Sequence, residues 1–494
     1  MDDRKIRKRN LICFPLGTVG RDMVYNLWTT YLMLYILYTR GLTNAQLATI
    51  TGIFVAARVF DGLNDPIMGN IIERTRTKWG KFKPWLLIGI VSTSVVVYIT
   101  FNNSLTGWSF VWLIGIMYFL YSITYTMHDI AYWGMVPALS SDADARNQFT
   151  SRATLFAGIG GTLASILIPL LTTGSSALGG SAKIAYGRIA LVIALLSPLF
   201  ICFTLGGVQE RRDDMKDPPP PVSFKKIIQT IGGNDQLLWA AVIFLIREIG
   251  NDMVVSGVGS NYIYFEFGYE GGLYSTFTTI GMMATAFLMI FYPMISRRLN
   301  RKKLLNILLG ISLAGYAMQI AAGLLMPATM LKFWIITIGF MLSNFGQYGF
   351  YLIMMISIMN TVEYNELRCG TRDEGIITSM RPFLTKVASA LVVIIANGSY
   401  MLFHITDFTN RISAIEQAAE MGSLDAAEKS AQIGTILSGV SNSQTTGLLL
   451  VMTLVPLALM VSAVVLYQRF YKLDEAKYEE ICKELEERKA AKEA

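Results

Sequence analysis

Two aspartates and an asparagine lie within a long apolar segment, in the stretch ARVFDGLNDPIMG. Asp61 and Asp65 are four residues apart and Asn64 is three residues after Asp61, so a helix places all three on one face. Two carboxylates this close repel each other unless a cation or a proton lies between them. Their oxygens suit a hard monovalent cation or a shared proton. The spacing therefore predicts a cation site, and the simpler alternative is that Asp65-Pro66 ends the helix with Asp65 in water.

A second set of polar residues lies in two other apolar segments. The first segment carries Arg21 and Asp22, and the fourth, YTMHDIAYWGM, carries Asp129 and Trp133. Ionised groups at membrane depth are costly, so they face an internal cavity or pair with each other. A carboxylate that accepts hydrogen bonds from hydroxyls, beside an aromatic ring, is the chemistry that binds a sugar. The pattern predicts a sugar site, with a neutralised structural pair as the alternative for Arg21 and Asp22.

Three more basic residues lie at or within apolar segments. Arg152 begins the fifth segment, where it either caps a helix end or reaches the same cavity. Arg381 and Lys386 lie in the eleventh, and the Lys386 ammonium needs carboxylate partners, which the aspartates of the second and fourth segments supply. The preceding NTVEYNELRCGTRDEG is interpreted as a cytoplasmic, gate-like loop or as a simple solvated turn.

Twelve apolar runs must position these residues, and each is close to or above the roughly 20 residues that cross a bilayer. The 494-residue chain is 53% hydrophobic and 16% charged, which excludes an ordinary soluble globular protein. The predicted spans lie near 11–38, 46–72, 84–102, 108–136, 150–173, 186–206, 237–265, 272–296, 303–325, 331–360, 375–403 and 445–471.

The charges of the loops predict the topology. The N-terminus, the loops 73–83 and 297–303 and the segment 207–236 are basic, whereas the intervening short loops carry little besides Arg40 and Lys332. Basic loops stay in the cytoplasm, so both termini are predicted to lie there, in a multi-pass protein of the cell (plasma) membrane. The net charge of +7 is therefore a topology signal and not a face for binding nucleic acid.

The proline-rich stretch around Pro218–Pro221 predicts a linker between two halves, because it cannot continue a helix. PMISRRLNRKK at 293–303 repeats, in the second half, the place of PIMGNIIERTRTKWGKFK in the first, which indicates duplication. The predicted parts are an N-terminal six-helix bundle (1–206), a cytoplasmic linker (207–236), a C-terminal six-helix bundle (237–471) and a cytoplasmic tail (472–494).

Two segments outside the spans are also predicted to be helical. The polar segment 404–444 is placed outside the cell and contains two short helical patterns, AIEQAAEM and LDAAEKSAQI. The tail spaces Leu473, Ile481 and Leu485 among charged residues, as in an amphipathic helix. Neither segment is assigned a chemical role.

Several motifs, in order along nearly the whole chain, resemble those of the glycoside–pentoside–hexuronide:cation symporters of the major facilitator superfamily, and among them the melibiose carriers. They are ARVFDGLNDPIMG, RTKWGKFKPWLLIG, YTMHDIAYWGMVPAL and VEYNELRCGTRDEG followed by Lys386. The resemblance implies an all-α integral membrane fold of twelve transmembrane helices, in two pseudo-symmetric six-helix bundles that expose a central cavity to each side in turn.

The resemblance also implies roles for individual residues. Lys386 would set the charge state of the cation site. Arg21 stands where those carriers have lysine, which keeps the positive charge. Arg381 stands where a neutral glutamine is expected. Its guanidinium either recognises an anionic hexuronide or pairs with an acidic residue of the sugar site. The implied cation ligands are Asp61, Asn64, Asp65 and Thr126, and the implied substrate-binding residues are Asp22, Asp129, Trp133 and Arg152, with Arg21 and Arg381 beside them.

The predicted function is secondary active symport of a glycoside or oligosaccharide with Na⁺ or H⁺, with Asp61 and Asp65 as the Na⁺ ligands if sodium is the coupling ion. A neutral sugar is favoured because Asp22 and Asp129 would repel a carboxylate. The alternatives are import of an anionic hexuronide or glucuronide and proton-coupled export of amphipathic compounds. The sequence shows no catalytic nucleophile, cofactor motif or metal-ligand spacing, so no enzyme activity is predicted, and it gives no signal of oligomeric state.

Overall fold

All twelve predicted spans are helical in the computed structural model, which describes residues 3–140, 142–210 and 224–493. The central part of the predicted linker, including Pro218–Pro221, lies outside these described residues. Eight of the described helices are long and apolar enough to cross a membrane by length and composition alone. The chain is therefore an all-α, multi-pass membrane protein.

The described residues form two compact units. Unit 1 contains the described residues up to 210 together with Gly268–Thr276 and Tyr400–Ser441, and unit 2 contains the described residues of 224–267, 277–399 and 442–493. The helices of unit 1 are α1 (Asp3–Asn26), α2 (Leu32–Thr39), α3 (Asn44–Arg74), α4 (Lys83–Phe101), α5 (Gly107–Leu139), α6 (Ala143–Thr172), α7 (Ala182–Gly207), α15 (Ile405–Glu420) and α16 (Ala426–Ser438).

The remaining helices lie wholly or largely in unit 2. Several of these helices begin at a polar residue whose side chain accepts a hydrogen bond from the backbone N–H group three residues later. Examples are Asn234, Asn300 and Thr329. They are α8 (Phe224–Gly233), α9 (Asp235–Asp252), α10 (Gly259–Phe267), α11 (Gly271–Arg298), α12 (Arg301–Leu325), α13 (Met330–Cys369), α14 (Glu374–Leu402), α17 (Asn442–Phe470) and α18 (Glu475–Glu493).

The prediction of a gate-like loop over NTVEYNELRCGTRDEG is largely wrong. Helix α13 continues to Cys369, so Glu363 and Glu366 lie on its last turns, and Gly370 ends it with a left-handed backbone (φ 72°). The charged residues of this stretch are good helix formers, and a change from apolar to polar residues does not itself end a helix. Arg372, in the short loop that remains, pairs with both glutamates at 2.8 and 3.1 Å.

The first spanning helix of each predicted half is interrupted. A π-helical turn at Leu27–Tyr31 separates α1 from α2, and one at Met253–Val258 separates α9 from α10. In the second interruption Gly257 leaves the helical region altogether (φ −106°, ψ −114°). Equivalent breaks at equivalent places support the predicted duplication, and broken helices are common where transporters hold their ligands.

The polar segment 404–444, called the outer segment because it is predicted to lie outside the cell, forms the two predicted helices. These are α15 and α16, and they belong to unit 1. Asn410 exchanges two hydrogen bonds with the backbone of Leu42, at 2.7 and 2.8 Å. Glu416 accepts from the Ala182 N–H at 2.7 Å and pairs with Lys429 at 3.0 Å. The segment is thus attached by specific polar contacts to helices that precede it by more than 200 residues.

We expect Lys429→Met to destabilise this attachment. Lys429 is 2% exposed and Glu416 is 1% exposed, and removing one partner of a buried ion pair costs about 3–5 kcal/mol because it leaves an unpaired buried charge. The purified variant should melt at a lower temperature than the wild type. Adding Glu416→Gln should restore most of the loss, and a single variant that melts like the wild type would contradict the expectation.

The tail forms helix α18. Leu473, Ile481 and Leu485 are all buried in the apolar core of unit 2. Glu475, at the start of the helix, accepts hydrogen bonds from the backbone and side chain of Arg301, at 2.7 and 3.0 Å. The tail is therefore an integral part of the unit that precedes it.

Candidate functional site

Arg21 joins two carboxylates from different helices of unit 1. Its Nε and Nη2 donate to Oδ2 of Asp22 on α1, at 2.9 and 2.7 Å, and its Nη1 donates to Oδ1 of Asp129 on α5, at 2.9 Å. The planar fork of a guanidinium suits such a bridge, whereas a lysine ammonium has no such fixed fork. The pair between Arg21 and Asp22, which the sequence offered as the alternative, is present, and Asp129 completes a three-residue cluster, called the Arg21 cluster below.

The Arg21 cluster combines charge with aromatic rings. The Arg21 guanidinium lies 5.3 Å from the ring centre of Tyr132 and 5.1 Å from that of Trp133. Arg21 is buried, yet the Asp129 side chain keeps 38% of its surface exposed. An accessible carboxylate on a rigid, ring-lined support is suited to accepting hydrogen bonds from hydroxyl groups.

Arg152 lies elsewhere on unit 1. Its side chain is exposed, and its Nη1 donates to the carbonyl of Leu11 on α1 at 3.3 Å. Its contact with the backbone of α1 does not place it in the Arg21 cluster, so its part in sugar binding stays a prediction.

Close helix packing holds Arg21 in place. The Ser197 hydroxyl of α7 donates to the carbonyl of Gly20 at 2.8 Å, and a Cβ atom at Gly20 would lie 2.6 Å from the Ser197 Cα atom. At the contact between α6 and α1, a Cβ atom at Gly160 would lie 2.3 Å from the Val19 carbonyl oxygen. Glycine at both positions lets α6 and α7 approach α1 closely, as small residues do between membrane helices.

We therefore expect Gly20→Ala to destabilise the protein by about 1–3 kcal/mol, since the added methyl group meets backbone rather than a flexible side chain. The measurement is the melting temperature of the purified variant. Gly158→Ala on α6 is the matched control, because no atom lies within 4 Å of a Cβ there. Equal melting temperatures for the two variants would contradict this packing.

The four predicted cation-site residues are brought together by α3 and α5. The hydroxyl of Ser122 donates to Oδ1 of Asp61, and that of Thr126 donates to Oδ1 of Asp65 at 3.2 Å. The Asn64 side chain donates to the backbone carbonyl of Ser122 at 3.5 Å. Two carboxylates four residues apart on one helix thus face two hydroxyls four residues apart on the other, and carboxylate and hydroxyl oxygens are the ligands that a hard cation prefers.

The alternative reading of Asp65 as a solvated helix end is wrong. Pro66 lies inside α3, which continues to Arg74, and Asp65 is half-buried. Proline removes one backbone hydrogen bond, but neighbouring helices in a membrane protein can compensate for it.

Sequence reasoning missed two residues of this cluster. Ser122 is one, although its spacing of four from Thr126 matches the spacing of the aspartates. Arg58 is the other, and its Nη1 lies 3.8 Å from Oδ2 of Asp61 while its guanidinium lies 5.9 Å from the ring centre of Tyr118. The sequence signal for Arg58 was its spacing of three from Asp61 on a helix.

The remaining predicted residues belong to unit 2. Arg381 on α14 is half-buried and donates to the Tyr351 hydroxyl at 2.8 Å. Lys386, also on α14, is half-buried, and its pairing with the aspartates of α3 and α5 stays a prediction. Sequence reasoning also missed a buried pair on α9, Arg247 and Glu248, whose signal was two adjacent opposite charges in an apolar run.

The chain is similar to known sugar-transport proteins. The family described as MFS/sugar transport protein matches residues 13–475 of the chain. A lactose permease of Leuconostoc lactis is 29% identical over 402 residues, which are 77% of this chain and 60% of that protein. A raffinose carrier protein of Pediococcus pentosaceus is 27% identical over 402 residues, with the same coverage of 77% and 60%.

The chain spans about three fifths of the length of these relatives. Among solved structures, a D-xylose-proton symporter superposes with a TM-score of 0.57 at 10% identity, over 85% of this chain and 99% of that one. At that identity the likeness shows a shared fold alone.

Proposed function

Because the chain belongs to the MFS/sugar transport protein family, we propose that it is a secondary active transporter that brings a neutral glycoside or oligosaccharide into the cell together with Na⁺ or H⁺. The observation that carries the proposal is that unit 1 holds two acidic clusters and that both include residues of one helix, α5. Asp129 of the Arg21 cluster and Thr126 of the cation cluster are three residues apart, on one face of that helix.

The Arg21 cluster supports a neutral sugar as the substrate. It contains one guanidinium and two carboxylates, so an anionic sugar would meet an excess of negative charge. Sugar hydroxyls can donate to Asp22 and Asp129, and the Trp133 ring can stack on the C–H face of a pyranose. The names of the relatives, lactose permease and raffinose carrier protein, also support a neutral di- or trisaccharide.

The cluster of Asp61, Asn64, Asp65 and Thr126 is the proposed cation site. Its oxygens suit Na⁺, and its closely spaced carboxylates also suit a proton. Cation and sugar would act together because both bind groups on α5, and a ligand that favours one arrangement of the helix raises the affinity for the other ligand to the same degree. Lys386 is proposed to compensate the charge of the cation site when it is empty.

The setting is proposed to be the cell membrane, with both termini in the cytoplasm and with two six-helix bundles that expose the substrate to each side in turn. The partners are a small sugar, a monovalent cation and the bilayer, without any cofactor. The basic loops at 73–83 and 297–303 support this orientation.

The test is uptake by the purified full chain in liposomes. We expect radiolabelled lactose or raffinose to accumulate when an inward Na⁺ or H⁺ gradient is imposed, and to stop accumulating when an ionophore dissipates that gradient. Uptake of a glucuronide in preference to both sugars would instead support the hexuronide alternative, with Arg381 as the candidate partner of its carboxylate. Absence of uptake for all three compounds under either gradient would overturn the proposal.

A further inference from the structure

A buried ion pair on α9 takes no part in the function proposed above. Arg247 and Glu248 form this pair, with side chains only 1% and 9% exposed. The Nε atom of Arg247 also donates to the backbone carbonyl of Gln347 at 3.2 Å, and the Thr385 hydroxyl donates to Oε1 of Glu248 at 3.3 Å. The pair therefore connects α9, α13 and α14 within unit 2.

The internal repeat relates this pair to the Arg21 cluster. Arg247 and Glu248 follow Arg21 and Asp22 by 226 residues, and in both halves a π-helical turn begins six residues after the arginine. The ring of Tyr351, which lies 5.1 Å from the Arg247 guanidinium, comes 226 residues after Tyr125 of α5. The pair thus occupies, in unit 2, the position that Arg21 and Asp22 occupy in unit 1.

An unpartnered acceptor lies beside the pair. Gln347 is 2% exposed and its Nε2 donates to the Tyr316 hydroxyl at 3.2 Å, whereas its Oε1 is buried without a hydrogen-bond partner in the described structure. Buried acceptors without a donor are costly and therefore rare. A ligand hydroxyl is a donor of the right kind for this oxygen.

Stability alone does not account for these groups. A buried ion pair contributes little net stability compared with apolar residues of similar size, because desolvation of both charges offsets their attraction. Ionisable groups in spanning helices mark substrate and ion sites by default. Carboxylate, guanidinium and amide together offer acceptors and donors for adjacent sugar hydroxyls, which is the chemistry of the Arg21 cluster.

We propose that Arg247, Glu248 and Gln347 form a second sugar subsite, in which hydroxyls of the transported sugar donate to Glu248 and Gln347 and accept from Arg247. This proposal rests on the proposed function as a sugar transporter and adds binding residues from unit 2. The subsite takes uncharged polyhydroxyl groups.

The first test is calorimetric binding of lactose and raffinose to the purified full chain, at saturating NaCl and at acidic pH. We expect Glu248→Gln to weaken binding at least about tenfold, as loss of a hydrogen bond to a charged group does. Glu266→Gln is the matched control, because Glu266 is also a buried glutamate of unit 2, paired with Lys332. Equal affinities for the wild type and Glu248→Gln would overturn the subsite.

The second test does not depend on the stability of the Glu248 variant. Thr385→Cys is introduced after Cys13, Cys202, Cys369 and Cys482 are replaced by serine, and its alkylation by N-ethylmaleimide is timed. Lactose or raffinose should slow alkylation several-fold at saturation. An unchanged rate would overturn the subsite even if Glu248→Gln fails to fold.

The outcomes separate this proposal from the proposed function. If the wild type binds sugar and Asp129→Asn weakens binding while Glu248→Gln does not, only the second subsite is overturned. If the wild type binds neither lactose nor raffinose, the proposed substrate class fails and the subsite fails with it.

Discussion

Asp65→Asn is expected to abolish the effect of the coupling cation on sugar binding. The wild type should bind sugar about 5–150-fold more tightly with saturating cation than without it, the range that coupled sites usually show. In the variant this ratio should fall to about 1, because the amide lacks the charge that holds a cation or a proton at the cluster shared by α3 and α5. Sugar should still bind, with the affinity of the cation-free protein.

The measurement is calorimetric sugar binding in NaCl and in choline chloride at constant ionic strength, repeated across a pH step. The Na⁺ and pH arms together identify the coupling ion. Glu73→Gln is the matched control, since Glu73 is also an acidic residue of α3 but pairs with Lys81, which lies beyond the end of that helix. Normal stimulation in Asp65→Asn, or its loss in Glu73→Gln, would refute the assignment of the cation site.

Asp129→Asn is expected to produce the opposite pattern. It removes the charge that accepts from Arg21 and, in our proposal, from a sugar hydroxyl, so sugar affinity should fall roughly 10- to 100-fold. Cation binding should persist, because Asp61 and Asp65 are unchanged. The variant thus separates the two sites on α5.

Sugar and Na⁺ titrations of the same purified variant check this result. Asp407→Asn, in the outer segment, is the control, because its side chain is 69% exposed and lies outside both clusters. Wild-type sugar affinity in Asp129→Asn would remove the Arg21 cluster from the sugar site. Loss of both sugar binding and Na⁺ binding, together with a lower melting temperature, would instead show a structural role for the bridge from Arg21 to Asp129.

The bridge uses three nitrogen atoms of the Arg21 guanidinium, which a lysine ammonium cannot reproduce. Arg21 contacts Asp22 through two nitrogen atoms and Asp129 through a third. One side chain therefore links α1 to α5 and limits the negative charge of the cluster. This is a feature of the site that residue identity alone suggested only in part.

The membrane class, the positions of all twelve spanning helices and the shared face of Asp61 and Asp65 could be predicted from sequence. These properties depend on local quantities, namely the length of apolar runs and the 3.6-residue period of a helix. The prediction from local pattern was wrong at the end of α13. There, polar helix formers such as Glu363 and Glu366 continue the helix through a stretch that was predicted to be a loop.

The tertiary structure alone decided which groups meet. It placed Asp129 on Arg21 across 108 residues of sequence, Ser122 on Asp61 across 61 residues, and the outer helices α15 and α16 on unit 1. These contacts depend on how helices pack, and small residues such as Gly20 and Gly160 allow the close approach of α6 and α7 to α1 on which that packing depends. A helical period shows which face of a helix a residue occupies, but only packing supplies the residue opposite.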